Sequence, residues 1–279
     1  MSGRTVWLAS YPKSGNTWLR AVYTALRTGA DPNINALEGG NSPSSRWLFD
    51  SVLGVRSSDL LPEEIDRLRP HADVELVARA GGDVWRKIHD ALLPGPSGEL
   101  VVSAEATRAA LYILRDPRDV AVSLARYDDL PLERAVELLC RDDAALAAGR
   151  RELSSLLLQR LGSWSEHVHS WVDTPAFPVH VLRYEDCLAD PVASFQPAFA
   201  AAGLEVSASE LAGAVASSSW ERLRAQEDSV GFVERLSATS PFFRRGRAGG
   251  WAEELAPNLA RRIVDAHGAV MARFGYLES

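Results

Sequence analysis

One short segment of the sequence crowds glycine, hydroxyl side chains and a rare lysine together. Residues 11–18 read Tyr-Pro-Lys-Ser-Gly-Asn-Thr-Trp, and they supply a cation in Lys13 and hydrogen-bond donors in Ser14, Asn16 and Thr17. A glycine-containing loop before a helix often binds anions, because its N–H groups and the positive end of the helix dipole converge on the ligand. We name residues 11–18 the anion loop and expect it to bind a phosphate or sulfate group.

The elements around this loop fit that role. The apolar run 6–10 predicts a buried strand, and apolar residues at helical spacing predict a helix over 16–28. A Walker A loop is excluded because it needs glycine directly before its lysine, whereas Lys13 follows Pro12 and Lys87 follows Arg86. The structural alternative is an ordinary strand-to-helix turn that carries a surface lysine.

A second strand–loop–helix unit follows later in the chain. The apolar run 110–114 precedes Arg115-Asp-Pro-Arg-Asp, and a helix is predicted from there through Tyr127. Arg115 stands where α/β folds place ligand groups, and Ser123 lies about two helical turns further on. A guanidinium and a hydroxyl suit a phosphate dianion. The alternative is that Arg115 forms a structural ion pair with Asp116 or Asp119.

Lys87 and His89 form a third candidate pair. They end the predicted strand 84–89, where a period of two places both side chains on one side. Histidine has an ordinary pKa of about 6.5, which suits a general base near neutrality. His167 and His169 are two residues apart on a predicted helix, do not share a face, and make a poor metal pair.

Composition excludes several classes of protein. With 30 basic and 37 acidic residues the net charge is −7, which disfavours a general nucleic-acid binder. The hydrophobic fraction of 46% indicates a globular chain, and two cysteines make no disulfide framework or zinc cluster. No apolar run approaches the roughly 20 residues of a membrane helix, so we expect a cytoplasmic protein without membrane contact.

Strands alternate with helices along the chain, which indicates an α/β fold with a central, mostly parallel sheet and helices on both faces. Without an evident linker or repeat, we expect one domain over residues 1–279. Residues 30–58 read as a long loop with a short helix near 47–53, residues 94–98 as a turn, and residues 226–250 as a mobile stretch. The remaining predictions are a strand over 178–182 and helices over 62–68, 131–148, 153–172, 191–202 and 257–274.

The anion loop resembles the 5′-phosphosulfate loop of the sulfotransferases that use 3′-phosphoadenosine 5′-phosphosulfate (PAPS), with Asn16 in place of a frequent threonine. The segment from Arg115 to Ser123 resembles that family's 3′-phosphate motif. Residues 182–186 and 217–221 resemble its adenine-binding segments, and residues 243–251 resemble its C-terminal Arg-Lys-Gly loop. The segments occur in family order.

The resemblance implies a single-domain, P-loop-like sulfotransferase fold. It also implies that Trp220 stacks on adenine, with Tyr184 beside it, although core packing is the commoner fate of such aromatic residues. Taken in isolation, the basic residues 244–247 would be interpreted as a solvent-exposed segment. Arg245 replaces a common lysine of the family's loop and Gly250 a common aspartate. The full set of predicted cofactor-binding residues is Lys13, Ser14, Gly15, Asn16, Thr17, Trp18, Arg115, Ser123, Tyr184, Ser218, Trp220, Arg244, Arg245 and Gly246.

The Lys87-Ile-His89 segment resembles the family's Lys-Thr-His segment. His89 would then deprotonate the acceptor, Lys87 would steady the sulfuryl oxygens, and Lys13 would stabilise the leaving phosphate. The transferred group carries less charge than a phosphoryl group, so we expect no metal. The alternatives are a P-loop-type nucleotide kinase or phosphotransferase, and a catalytically inactive nucleotide-binding protein.

The acceptor is expected to be a small hydroxylated molecule. The Ala- and Arg-rich composition resembles that of proteins from bacteria with high GC content. Similar bacterial members of the family modify secondary metabolites, so the resemblance implies an acceptor of that kind. Residues 30–58, 94–100 and 226–243 are the predicted acceptor-facing loops, and a homodimer is left open. These loops supply apolar side chains that suit a hydrophobic acceptor: Trp47, Leu48, Phe49, Phe232, Phe242 and Phe243.

Lys13 and Lys87 are the two lysines of the chain, against 28 arginines. A compact ammonium and a planar guanidinium are not interchangeable beside a reacting group. We therefore expect Lys13→Arg and Lys87→Arg each to lower kcat by about tenfold or more while changing the Kd for adenosine 3′,5′-bisphosphate (PAP) much less. Steady-state kinetics and calorimetry check this, and a loss confined to PAP affinity would contradict it.

Overall fold

The computed structural model describes residues 3–96, 98–149, 153–173, 175–237 and 239–277. Its strands are β1 (Thr5–Ala9), β2 (Val84–Ile88), β3 (Thr107–Leu114), β4 (Ala145–Leu146), β5 (Gln159–Arg160) and β6 (Val179–Arg183). Its helices are α1 (Asn16–Thr28), α2 (Arg46–Leu53), α3 (Pro62–Ala80), α4 (Pro117–Tyr127), α5 (Leu132–Leu139), α6 (Trp164–Val172), α7 (Tyr184–Ala189), α8 (Pro191–Ala201), α9 (Ala208–Ser217), α10 (Trp220–Val230) and α11 (Pro257–Arg273). Short 3₁₀ turns occupy Ile34–Ala36, Ser57–Asp59 and Gly250–Glu253.

The central sheet has the strand order β2-β1-β3-β6. Strand β1 runs parallel to both β2 and β3, with Thr5 opposite Val84 and Thr107. Every residue of β1 is buried, which explains why its sequence is a continuous apolar run and not an alternating one. The predicted parallel core of the sheet is therefore confirmed.

The chain divides into two compact units, each assembled from separate stretches of sequence. The first unit contains residues 1–11, 39–112 and 142–181, and the second contains residues 12–38, 113–141 and 182–279. Because the chain passes between the units several times, no single linker marks them in the sequence. The expected single domain stays a prediction.

In the first unit, α3 buries a charged face. Asp66, Arg69, Asp73 and Val77 are its buried residues, at spacings of three and four. The guanidinium of Arg69 pairs with Asp90 at 2.8 Å, and Asp73 pairs with Arg86. The predicted end of this helix at residue 68 is wrong, since α3 continues through Pro70 to Ala80.

The long helices predicted over 131–148 and 153–172 are also wrong in part. Helix α5 ends at Leu139, and α6 begins only at Trp164. Between them β4 and β5 pair in antiparallel fashion. Helix α6 starts late because Gly162 has a positive φ of 65° and Ser163 forms a capping box with Glu166.

The structure agrees with one of the predicted loops and contradicts part of another. In the predicted turn, Gly98 N–H donates to Gly95 O at 2.9 Å, and Ser97 lies outside the described residues. Residues 226–230, predicted within a mobile stretch, instead form the end of α10. Position 238 of that stretch also lies outside the described residues.

The second unit is mainly helical. Helix α1 packs on α9, which packs on α8, while α11 packs on α4 and α5. Its aromatic core includes Phe232 and Phe243, with Trp18, Trp220 and Phe242 packed against it. Helices α7, α9 and α10 were not predicted from the sequence.

We expect Arg69→Met to lower the free energy of unfolding by about 3–5 kcal/mol, because it leaves Asp90 charged and unpaired in the interior. Arg56→Met is the matched control, since Arg56 pairs with Asp59 on the surface and should contribute about 0–1 kcal/mol. Urea denaturation measures both. Equal losses of unfolding free energy in the two variants would contradict the view that Arg69 and Asp90 form a buried pair that determines position.

Candidate functional site

In the first unit, His89 lies just after β2 and its imidazole contacts the chain just after β1. Its Nδ1 is 2.9 Å from the Ser10 carbonyl oxygen and 3.2 Å from Ser10 Oγ. A carbonyl only accepts, so Nδ1 carries the proton and the basic lone pair is on Nε2. The hydrogen bond to Ser10 thus selects the tautomer that a general base requires.

The backbone of His89 is held by a second histidine. His167 Nε2–H donates to the His89 carbonyl at 3.0 Å, and its Nδ1 accepts from the Tyr112 hydroxyl at 2.9 Å. Burial lowers the pKa of His167 to about 3, so its imidazole is neutral and can make both bonds. The sequence analysis considered His167 only as half of a poor metal pair with His169, whereas the structure shows that it holds the backbone of His89.

Lys87 lies on the same side of β2 as predicted. Lys87 and His89 are partly exposed, while Arg86, Ile88 and Asp90 between and beside them are buried. The backbone N–H of Lys87 donates to Gly39 O at 2.7 Å, so residue 39 borders this strand. The alternation confirms the period of two from which the pair was predicted.

The second unit contains the rest of the predicted residues, beginning with the anion loop after Tyr11. Lys13 and Gly15 both have positive φ angles, 71° and 111°, and α1 begins at Asn16 without a side-chain cap. Ser14 Oγ is buried and has no hydrogen-bond partner in the described part of the chain. An uncapped helix start beside an unsatisfied hydroxyl fits an anion that accepts from both.

The Lys13 ammonium lies between two aromatic rings. Its Nζ is 3.8 Å from the Tyr127 ring centroid and 3.7 Å from that of Phe242. Burial is the main cause that lowers the pKa of Lys13, the negative charge of Asp128 opposes it, and the positive charge of Arg115 adds to it; together the effects bring the pKa to about 7. This lysine therefore titrates near neutrality.

Tyr184 lies against both the anion loop and Arg115. A Cβ added at Gly15 would come within 2.7 Å of Tyr184 Cδ2, so only glycine fits there. The Arg115 guanidinium lies over the Tyr184 ring at 4.4 Å. The buried tyrosine thereby positions the anion loop and Arg115 at once.

Arg115 is oriented by the backbone on two sides. It donates to Lys13 O at 3.4 Å and to Arg247 O at 3.1 Å, and its Nη2 is 3.7 Å from Asp119. Asp116 and Asp119 were the predicted ion-pair partners of Arg115. Of these two, Asp119 is the one near the guanidinium, and 3.7 Å is a long distance for a salt bridge. Ser123 is partly exposed on α4.

Asp119 has a structural task that sequence reasoning missed. Its carboxylate accepts from the backbone N–H groups of Gly249 and Trp251, both at 2.8 Å. It therefore connects residues 243–251, which we name the basic loop, to α4. The sequence signal that could have indicated this role is Asp119 itself, the second aspartate of the Arg115-Asp-Pro-Arg-Asp segment.

In the basic loop, Arg244 pairs with Glu254 at 2.7 Å and Arg245 with Glu253 at 2.9 Å. A Cβ at Gly246 would lie 2.4 Å from Trp220 Cγ, so the close approach of this glycine is to the indole. Within the described residues, Trp220 Nε1 and Ser218 Oγ are buried donors without a partner. These atoms, with Ser14 Oγ, fit a ligand rich in acceptors, such as a nucleotide.

The family comparison decides the class. A profile described as "Sulfotransferase domain" matches residues 104–275, more than half of the chain. This chain belongs to the sulfotransferase domain family. Arabidopsis thaliana cytosolic sulfotransferases 16 and 17 are 26% and 23% identical to it, covering 92% of this chain and 72% and 71% of the relatives.

Solved structures show the same fold. Mouse sulfotransferase SULT7A1 complexed with PAP aligns with a TM-score of 0.59 at 21% identity, covering 97% of this chain and 84% of that one. Retinol dehydratase, complexed with androsterone and the inactive cofactor PAP, aligns at 0.61 and 19%, covering 97% and 81%. The predicted α/β sulfotransferase fold and PAPS-dependent enzyme class are confirmed, whereas the roles of individual residues stay predictions.

Two further observations concern partners. Within the described ranges, no group of three His, Cys, Asp or Glu side chains could hold a metal ion. Among the helices formed by the described residues, none has both the length and the apolar character of a membrane span.

The two lysines make a direct titration feasible. Protein labelled with ¹³C at lysine Cε should give two signals, and the Lys13 signal, assigned by its loss in Lys13→Arg, should titrate near pH 7. PAP should raise this pKa because its phosphates favour the ammonium. A Lys13 signal that titrates at the ordinary value of 10.5 would contradict the burial described above.

Proposed function

We propose that this sulfotransferase transfers the sulfuryl group of PAPS to a hydroxyl of a small-molecule acceptor, with His89 as general base. The observation that carries the proposal is the hydrogen bond from His89 Nδ1 to the Ser10 carbonyl, which leaves the basic lone pair on Nε2. The neutral His167 and Tyr112 fix the backbone of His89, so the imidazole has little freedom to turn away.

PAPS supplies a sulfuryl group whose bond to the 5′-phosphate oxygen breaks as a bond to the acceptor oxygen forms. His89 Nε2 takes the acceptor proton, and Lys87, on the same side of β2, steadies the sulfuryl oxygens. Lys13 stabilises the charge that develops on the leaving phosphate. Residues 14–18 bind the 5′ end of the nucleotide. Arg115, Ser123, Arg244, Arg245 and the Gly246 N–H bind its 3′-phosphate.

The adenine would be bound by Tyr184, Ser218 and Trp220. The partnerless donors Ser218 Oγ and Trp220 Nε1, noted above, support this assignment because a purine offers ring nitrogens as acceptors. Gly246 covers one part of the Trp220 indole, so stacking would use the ring surface that Gly246 leaves open.

The acceptor is proposed to be a small hydroxylated molecule, in keeping with the family. The apolar side chains predicted to face it are largely used in packing, since Phe49, Phe232 and Phe243 are buried. Trp47 is 75% exposed and is the member of that set most available to a ligand. A bacterial secondary metabolite and a cytoplasmic location remain part of the proposal from composition alone.

A PAPS-consumption screen over hydroxylated metabolites would supply an acceptor, and His89→Ala should then lower kcat by about 10²–10⁴-fold. PAP affinity should change little, because His89 acts on the acceptor proton. His71→Ala is the control, since His71 is exposed on α3. Near wild-type turnover in His89→Ala would remove His89 as the base, and a thermal shift with Mg-ATP but none with PAP would favour a kinase.

A further inference from the structure

A cavity within the second unit has an unusually basic wall. Lys13, Arg126, Arg235 and Arg244 line it, together with the rings of Tyr127 and Phe242. No carboxylate is among the described residues that line it, although the whole chain has a net charge of −7. In an acidic protein, such a concentration of positive charge favours an anionic ligand.

The guanidinium groups of this wall are held in place by neighbouring residues. Glu254 accepts from Arg126 at 3.2 Å through one carboxylate oxygen and from Arg244 at 2.7 Å through the other. Arg235 donates from Nε to Ser237 O at 2.8 Å, and its Nη1 is 3.9 Å from Glu227. These contacts fix the guanidinium groups before any ligand binds, which reduces the ordering cost of binding.

The donor nucleotide does not account for all of these charges. Lys13, Ser123 and Arg244 line the cavity and belong to the proposed PAPS motifs, whereas Arg126 and Arg235 belong to none of them. Arg235 comes from the stretch 226–243, which was predicted to face the acceptor. Arg126 and Arg235 are thus two cations that the proposed donor motifs leave without a ligand group.

We propose that Arg126 and Arg235 bind an anionic group of the acceptor, so that the acceptor is a hydroxylated aromatic molecule that also carries a carboxylate, phosphate or sulfate. Tyr127 and Phe242 line the same wall with the Lys13 ammonium over each ring, so the aromatic body of such a molecule would pack on the ring surface that Lys13 leaves open. This inference rests on the proposed function. A phosphate of the donor shares the same chemistry, and the experiment separates the two sources.

The test compares two probes of similar shape, 4-hydroxyphenylacetate and its neutral amide, by calorimetry with PAP-saturated protein. Wild-type protein should bind the anion about tenfold more tightly than the amide. Arg126→Gln and Arg235→Gln should each remove most of that preference and leave the Kd for PAP within about twofold. Arg222→Gln is the matched control, because it removes one positive charge from a surface pair with Asp31 that does not line the cavity.

Two results would overturn the inference. Equal binding of anion and amide by wild-type protein would show that the wall does not select an anionic acceptor. Weaker PAP binding in Arg126→Gln and Arg235→Gln, with the preference for the anion intact, would assign the extra charge to the donor. Failure of wild-type protein to bind PAP would be a different result, and it would overturn the proposed function and this inference together.

Discussion

The buried ion pair between Arg69 and Asp90 is the constraint on which the position of His89 in the first unit depends. Arg69 donates to both carboxylate oxygens of Asp90, at 2.8 and 3.1 Å, and Ser44 donates to the same group at 2.8 Å. Such a pair adds little net stability, because both ions lose their hydration. Its consequence is positional, since Asp90 directly follows His89 and cannot shift without exposing or unpairing a charge.

Two backbone hydrogen bonds extend this constraint to His89 itself. Trp171 Nε1–H donates to the Asp90 carbonyl at 3.0 Å, and His167 Nε2–H donates to the His89 carbonyl at the same distance. Both donors lie on α6, whose start is set by the Ser163–Glu166 capping box. The position of the imidazole is thus determined by α3 and α6 together, and the Ser10 carbonyl then determines its tautomer.

The sequence predicted the elements whose chemistry is local and missed those that depend on burial. Strand β1 and helix α1 could be predicted because a continuous apolar run and Gly15 mark them directly. The extent of α3 could not, because its buried face consists of Asp66, Arg69 and Asp73, which an apolar pattern reads as exposed. Likewise the roles of Asp119 and His167 depend on backbone groups 130 and 78 residues away, Gly249 and His89. A local sequence pattern cannot predict hydrogen-bond partners that are so distant along the chain.

The environment of Lys13 explains why a lysine stands in a chain that otherwise uses arginine. Its ammonium fits between two rings at less than 4 Å, and its pKa near 7 means that the buried charge is only partly present before an anion arrives. An arginine would stay charged at any accessible pH, so the site would bear the full desolvation cost without a ligand. In the proposed site, a lysine would let the charge form when the donor phosphates enter, so that proton uptake and donor binding would be linked at the same atom.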